Sequence, residues 1–167
     1  MPLRRRAPRP GSEVLALVGE ERPLAWATDA GQDWLVATDA ALWVPQRSRL
    51  VRIGWEHVDT LRWDRDAETL TVVEALADRP RTWVIRLVEP GRLPHVARER
   101  VNATVVHTRR VPLDHGAVTL VARRPPGATH LTWTVSADPG VDVADERVSA
   151  QVDEALRVAR ADLGESG

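Results

Sequence analysis

The chain has 167 residues, of which 43% are hydrophobic and 28% charged, a length and composition that support one core, or one core with an added subdomain. Its formal net charge of −1 argues against a protein that coats nucleic acid or anionic lipid, since both need a sustained positive potential. It contains no Cys and no Lys, which excludes disulfides, thiolate metal sites, thiol nucleophiles, Schiff-base lysines and the lysine of a phosphate-binding loop.

Residues 1–11 carry Arg4, Arg5, Arg6 and Arg9 among three prolines and are expected to form a disordered arm, because they offer no face to bury. Pro8, Pro10, Gly11 and Glu13 interrupt the resemblance of this start to a signal peptide, and no segment approaches the ~18 apolar residues of a membrane span. The expectation is a soluble, cytoplasmic chain. Ser12 is placed to cap a short amphipathic turn through Val18, with Gly19 as its stop.

From there the apolar period becomes two. Leu24 and Trp26 alternate with Ala25 and Ala27, Asp29-Ala30-Gly31-Gln32 forms a turn, and Trp34, Val36 and Thr38 continue the alternation as a hairpin. Ala41 to Val44 predicts a third strand ended by Pro45, and Leu50 to Ile53 a fourth. Val58 to Trp63 predicts a fifth, on which Asp59, Leu61 and Trp63 share a face. After a polar turn at Asp64 to Glu68, Leu70 and Val72 mark the sixth strand, and Trp83, Ile85 and Leu87 the seventh. Pro90-Gly91 breaks the sheet. Leu93, Val96, Ala97, Val101, Thr104 and Val105 then recur at three and four, predicting a covering helix from Leu93 to His107. Val118, Leu120 and Ala122, then Leu131, Trp133 and Val135, predict another hairpin. Asp142 or Asp145 can cap a last helix with an apolar stripe on Val148, Val152, Leu156, Ala159 and Leu163. That stripe must be buried on the chain's own barrel or on a second copy, and the latter would make a homodimer.

The phrase Val36-Ala37-Thr38-Asp39-Ala40-Ala41-Leu42-Trp43-Val44 resembles the "T-D-x-x-L" hairpin of bacterial pleckstrin-homology-like and GRAM-like domains, with Ile53-Gly54-Trp55-Glu56-His57-Val58 standing where that family leads into its fifth strand. The resemblance covers about residues 12–107. It implies an α+β fold, a partly open antiparallel β-barrel of about seven strands capped by a helix. Residues 108–167 then form a β-hairpin and C-terminal helix packed on it, similar to the C-terminal extension of an actinobacterial group of proteins. The missing Phe and Tyr and the abundance of Ala, Val, Arg, Gly and Pro also fit a GC-rich genome of that kind. Lipid-binding members of the family grip phosphorylated headgroups through a basic loop between their first two strands. Here Asp29-Ala30-Gly31-Gln32-Asp33 presents two carboxylates and no cation, which argues against phosphoinositides.

Few residues combine into recognisable chemistry. His57 and Asp59, two apart, would share a strand face and could present two metal ligands or a base with its orienting carboxylate, but no third ligand is placed by sequence. No G-x-S-x-G, H-E-x-x-H or G-x-G-x-x-G occurs, and no cofactor or metal is expected. Asp64, Asp66 and Glu68 lack the glycine and distal glutamate of a calcium loop. Arg98 and Arg100, with Arg109-Arg110 and Arg123-Arg124, could converge on an anion, yet Glu99 and Asp114 interleave and no aromatic lies among them, which argues against nucleic acid. Trp43 and Trp55 are the residues expected as exposed binding anchors, because interface energy concentrates in Trp and Arg. The binding candidates are therefore Trp43, Trp55, His57, Arg98 and Arg100. The leading function is a non-catalytic module that binds a protein or peptide through an open sheet edge or the groove beside the helix. The alternatives are a small-ligand or lipid carrier using the barrel interior, and a hydrolase centred on His57 and Asp59.

Overall fold

In the computed structural model, described for residues 8–47, 49–75 and 80–165, three antiparallel sheets and three helices form a mixed α+β fold. Most of the arm expected at residues 1–11 lies outside the described residues. The chain divides into two compact units, one of residues 1–104 with 124–130, the other of residues 105–123 with 131–167. Among the described residues no helix is long and apolar enough to cross a membrane.

The first unit opens with a short helix, α1 (Ser12–Leu17), whose N-cap is Gly11 rather than Ser12, with no side chain bonding its free amides. A four-stranded sheet follows in sequence order, from β1 (Pro23–Thr28) through β2 (Trp34–Thr38) and β3 (Ala41–Gln46) to β4 (Arg49–Gly54). β3 runs past Pro45. Only Trp43 and Leu42 of β3 pair with β2, so Pro45 sits beyond that ladder in an edge position where proline is tolerated. A 3-10 turn at Trp55–His57 leads into a three-stranded sheet of β5 (Val58–Asp64), β6 (Thr69–Glu74) and β7 (Arg81–Arg86).

The period-two pattern places Leu35, Leu42, Val44, Ile53, Val58, Leu70, Val72 and Leu87 in one fully enclosed cluster with Trp55. The helix α2 (Leu93–Thr104) packs against β1, β2, β5 and the 3-10 turn, and turns Leu93, Val96, Ala97 and Val101 into that cluster. Its arrangement is the one its three-and-four spacing requires.

α2 ends at Thr104, three residues short of the predicted end, and β8 (Val105–Pro112) begins directly. The Thr104 hydroxyl donates to the Val101 carbonyl at 2.7 Å, and the Thr104 carbonyl accepts from Arg124 N–H at 2.7 Å in place of a further helical turn. The run Thr104-Val105-Val106 is β-branched, stiff at χ1 and better suited to a pleated strand than to a helix end.

In the second unit β9 (Ala117–Arg123) lies between β8 and β10 (Thr132–Ala137), so the expected hairpin is the outer two-thirds of a three-stranded sheet. The last helix, α3 (Glu146–Asp162), is capped by Asp145, whose carboxylate accepts from Arg147 and Val148 N–H at 2.9 and 3.2 Å. Its stripe meets this sheet. Val152 and Ala155 cluster with Val118 and Leu120, with Val111, Leu113, Trp133, Val148 and Leu156 alongside. Most of the apolar face is thus covered by strands of its own unit, with Leu156 and Leu163 part-buried.

Candidate functional site

The residues marked by sequence do not converge. Trp55 is not an exposed anchor: it is 0% exposed, and its indole N–H donates to the Thr38 carbonyl at 3.0 Å. It lies in the 3-10 turn beyond the end of β4, where strand alternation assigns no face, and it joins Ile53 and Val58 in the core cluster. Trp43 is half-buried, and its indole donates to Glu21 Oε2 at 2.9 Å. His57 is on the surface beside Glu56, with Nδ1 at 3.7 Å from Oε1. It belongs to the 3-10 turn, whereas Asp59 sits at a bulge in β5, so the shared strand face expected for this pair is not formed. Arg98 is exposed on α2, while Arg100 is half-buried with its Nε unpartnered. Among the described residues no group of three or more acidic or histidine side chains is arranged to hold a metal ion.

The "T-D-x-x-L" residues do have a structural task. The Thr38 hydroxyl accepts from Ala41 N–H at 2.9 Å and lies 2.6 Å from Glu21 Oε2 and 3.0 Å from the Ala41 carbonyl. Its single proton can serve only one acceptor, and the shorter approach to a carboxylate takes it. Asp39 accepts from Arg22 N–H at 3.0 Å and returns a bond from its own N–H to the Arg22 carbonyl at 3.1 Å, while Leu42 enters the core. Glu21 completes the knot by accepting from Arg52 Nε at 2.6 Å. Burial opposes ionisation of Glu21, but hydrogen bonds from Thr38, Trp43 and Arg52, with the Arg52 charge, together hold its carboxyl below the ordinary value. These bonds join the segment just before β1 to β2, β3 and β4, which makes the group a fastening.

The open chemistry lies at β7. A cleft of about 360 Å³ runs beside this strand, lined by residues 81–86 on one side, by Pro45 and Gln46 from β3 on the other, and by Asp29 and Ala30 at one end. β7 is the edge of its sheet, held at its end by a bridge between Asp29 and Leu87, with Ala30 N–H donating to the Arg86 carbonyl and Val88 N–H to the Thr28 carbonyl. Arg86 and Val88 therefore direct backbone groups away from β6. Because strand direction alternates, Thr82 and Val84 do so too. No backbone partner is found for these two among the described residues. Val84 is 69% exposed. At the head of the strand the Arg81 guanidinium stacks 4.0 Å over the Trp83 ring, whose indole donates to Glu74 at 3.2 Å. The edge is not legible in the sequence, since pairing partners are not local; Arg81 and Trp83, two apart, mark only a shared strand face.

A larger hollow of about 690 Å³ lies along α3, but residues 153–165 of that helix and its end supply the whole lining, with no second element to complete a site. No family model, no curated protein and no solved structure matches the chain.

Proposed function

We propose that the chain is a non-catalytic interaction module that binds a protein or peptide as an extended segment added to the free edge of β7. One observation carries this reading: Thr82 and Val84 face their N–H and C=O groups into a cleft, where an added strand would pair all four. Such main-chain pairing supplies affinity, while the exposed Val84 and stacked Arg81 supply side-chain contacts. The first unit is read as a pleckstrin-homology-like domain. Its four-stranded sheet, three-stranded sheet and following helix support that, together with the Thr38-Asp39-Leu42 pattern. A carrier function is less well supported, since Leu35, Leu42, Ile53, Trp55 and Leu70 fill the interior with no exposed surface.

The test compares the chain with its Val84→Pro variant. Proline removes a donor that faces away from β6, so the ladder with β6 keeps its bonds. Each immobilised protein is exposed to a proteolytic digest of a bacterial proteome, and retained peptides are identified by mass spectrometry. Peptides should be retained by the native chain, lost on Val84→Pro, and should slow hydrogen exchange of the Thr82 and Val84 amides. Equal retention by both proteins removes the edge as the site, and a co-purifying small molecule in place of peptides turns the reading to a carrier.

A further inference from the structure

β7 begins and ends with an arginine, and the one at its end, Arg86, lies 3.8 Å from Glu68. Arg81 stands at its start, stacked on Trp83, and among the described residues no carboxylate lies within ion-pairing distance of its guanidinium. Stacking leaves the in-plane N–H edge of a guanidinium free for a planar acceptor. At the other end Asp29 is held against Leu87, its Oδ1 accepting from Gly31 and Asp33 N–H at 2.8 and 2.9 Å. A carboxylate entering the cleft is attracted by the stacked Arg81, whereas Arg86 at the Asp29 end already has Glu68 beside it.

We propose that the segment captured by β7 is an extended peptide bearing an Asp or Glu side chain opposite Arg81; this rests on the edge-binding reading above. All pairings in the adjoining sheet are antiparallel, and an antiparallel guest lets two of its residues, two apart, exchange both bonds with Val84 and Thr82. The guest residue pairing with Val84 shares its outward face and is apolar or β-branched. The next lies opposite Trp83, the next pairs with Thr82, and the fourth falls opposite Arg81 on the face where the guanidinium stacks. Side chains directly opposite are ~5 Å apart at Cβ, which a carboxylate spans. A chain-terminal carboxylate at that position would lie in the line of the backbone instead of over this face, so an internal acidic residue is the match. A second copy of this chain fits poorly, because the cleft is walled on its far side by Pro45 and Gln46 and an incoming β7 would bring the same wall with it.

The experiment pans a phage-displayed library of random nonapeptides on the full chain, on Arg81→Ala and on Val84→Pro, and maps one selected peptide on the native protein by amide chemical shifts. The expected selection places Asp or Glu three residues after an apolar or β-branched residue and perturbs the Thr82 and Val84 amides. The acidic preference disappears on Arg81→Ala, with affinity for the selected peptide falling about tenfold. Selected peptides that perturb Thr82 and Val84 but show no acidic preference, or bind Arg81→Ala equally, overturn the acidic assignment and leave the edge reading standing. Peptides that leave both amides unshifted, or no selection at all, overturn both. The shift map is read on the native chain, so this outcome does not depend on whether Val84→Pro folds.

Discussion

Glu21 shows how one side chain can tie three strands together. Its two oxygens collect Thr38, Trp43 and Arg52 from β2, β3 and β4, and no neighbour in sequence suggests any of them. With the folded-state value below the ordinary 4.5, the unfolded chain binds the proton more readily. The stability from Glu21 is therefore complete above pH ~4.5 and is lost as pH falls through the folded value. We expect Glu21→Gln to lower stability at pH 7 by about 1–2 kcal/mol, a gap that closes on acidification; urea denaturation at pH 7 and pH 3.5 measures both. Gly54 has a steric reason. A Cβ there would overlap the carboxyl end of Glu56, and Glu56 is itself buried, with Oε2 unpartnered. Gly54→Ala should cost about 1–3 kcal/mol. Adding Glu56→Ala should recover more than ~1 kcal/mol of it in a double-mutant cycle, and additive effects would refute the clash.

At the scale of elements, the pattern of apolar residues was legible wherever one period applied. Segments between Leu24 and Leu87 read as strands through their period-two apolar residues, which β6 and β7 bury alternately while β2 buries four in a row, and α3 read as a helix because Val148, Val152, Ala155 and Ala159 fall on one stripe. The failure came at Ala97-Val101-Val105, where Val105 satisfies the helical spacing while Val105, His107, Arg109 and Val111 also satisfy the strand spacing. Local periodicity cannot choose between them. Pairing of Val105, His107 and Arg109 with Arg123, Ala122 and Leu120 does, and those partners lie up to eighteen residues on. The cap of α3 was readable to within two candidates, and the structure selects Asp145. Asp145→Ala should destabilise the chain by about 1 kcal/mol, with Asp142→Ala less damaging, as thermal unfolding would show.

For the whole molecule, an exposed edge strand carries a risk as well as a use. β7 presents Val84 and two outward pairs of backbone groups, the pattern through which folded chains associate edge to edge. Val84→Lys should change stability by less than ~0.5 kcal/mol in urea denaturation, since nothing buried is altered. A fall in stability of several kcal/mol would show that Val84 has a packed role. By itself the sequence determined the type of nearly every element and most of the core, because burial follows from the spacing of apolar residues along one segment. Only the tertiary structure decided that Trp55 is interior, that His57 and Asp59 do not share a face, that α3 spends its stripe on β8 to β10, and that β7 is an edge. Each of these depends on which distant segment supplies the neighbour, and a linear pattern records a residue's face without recording what meets it.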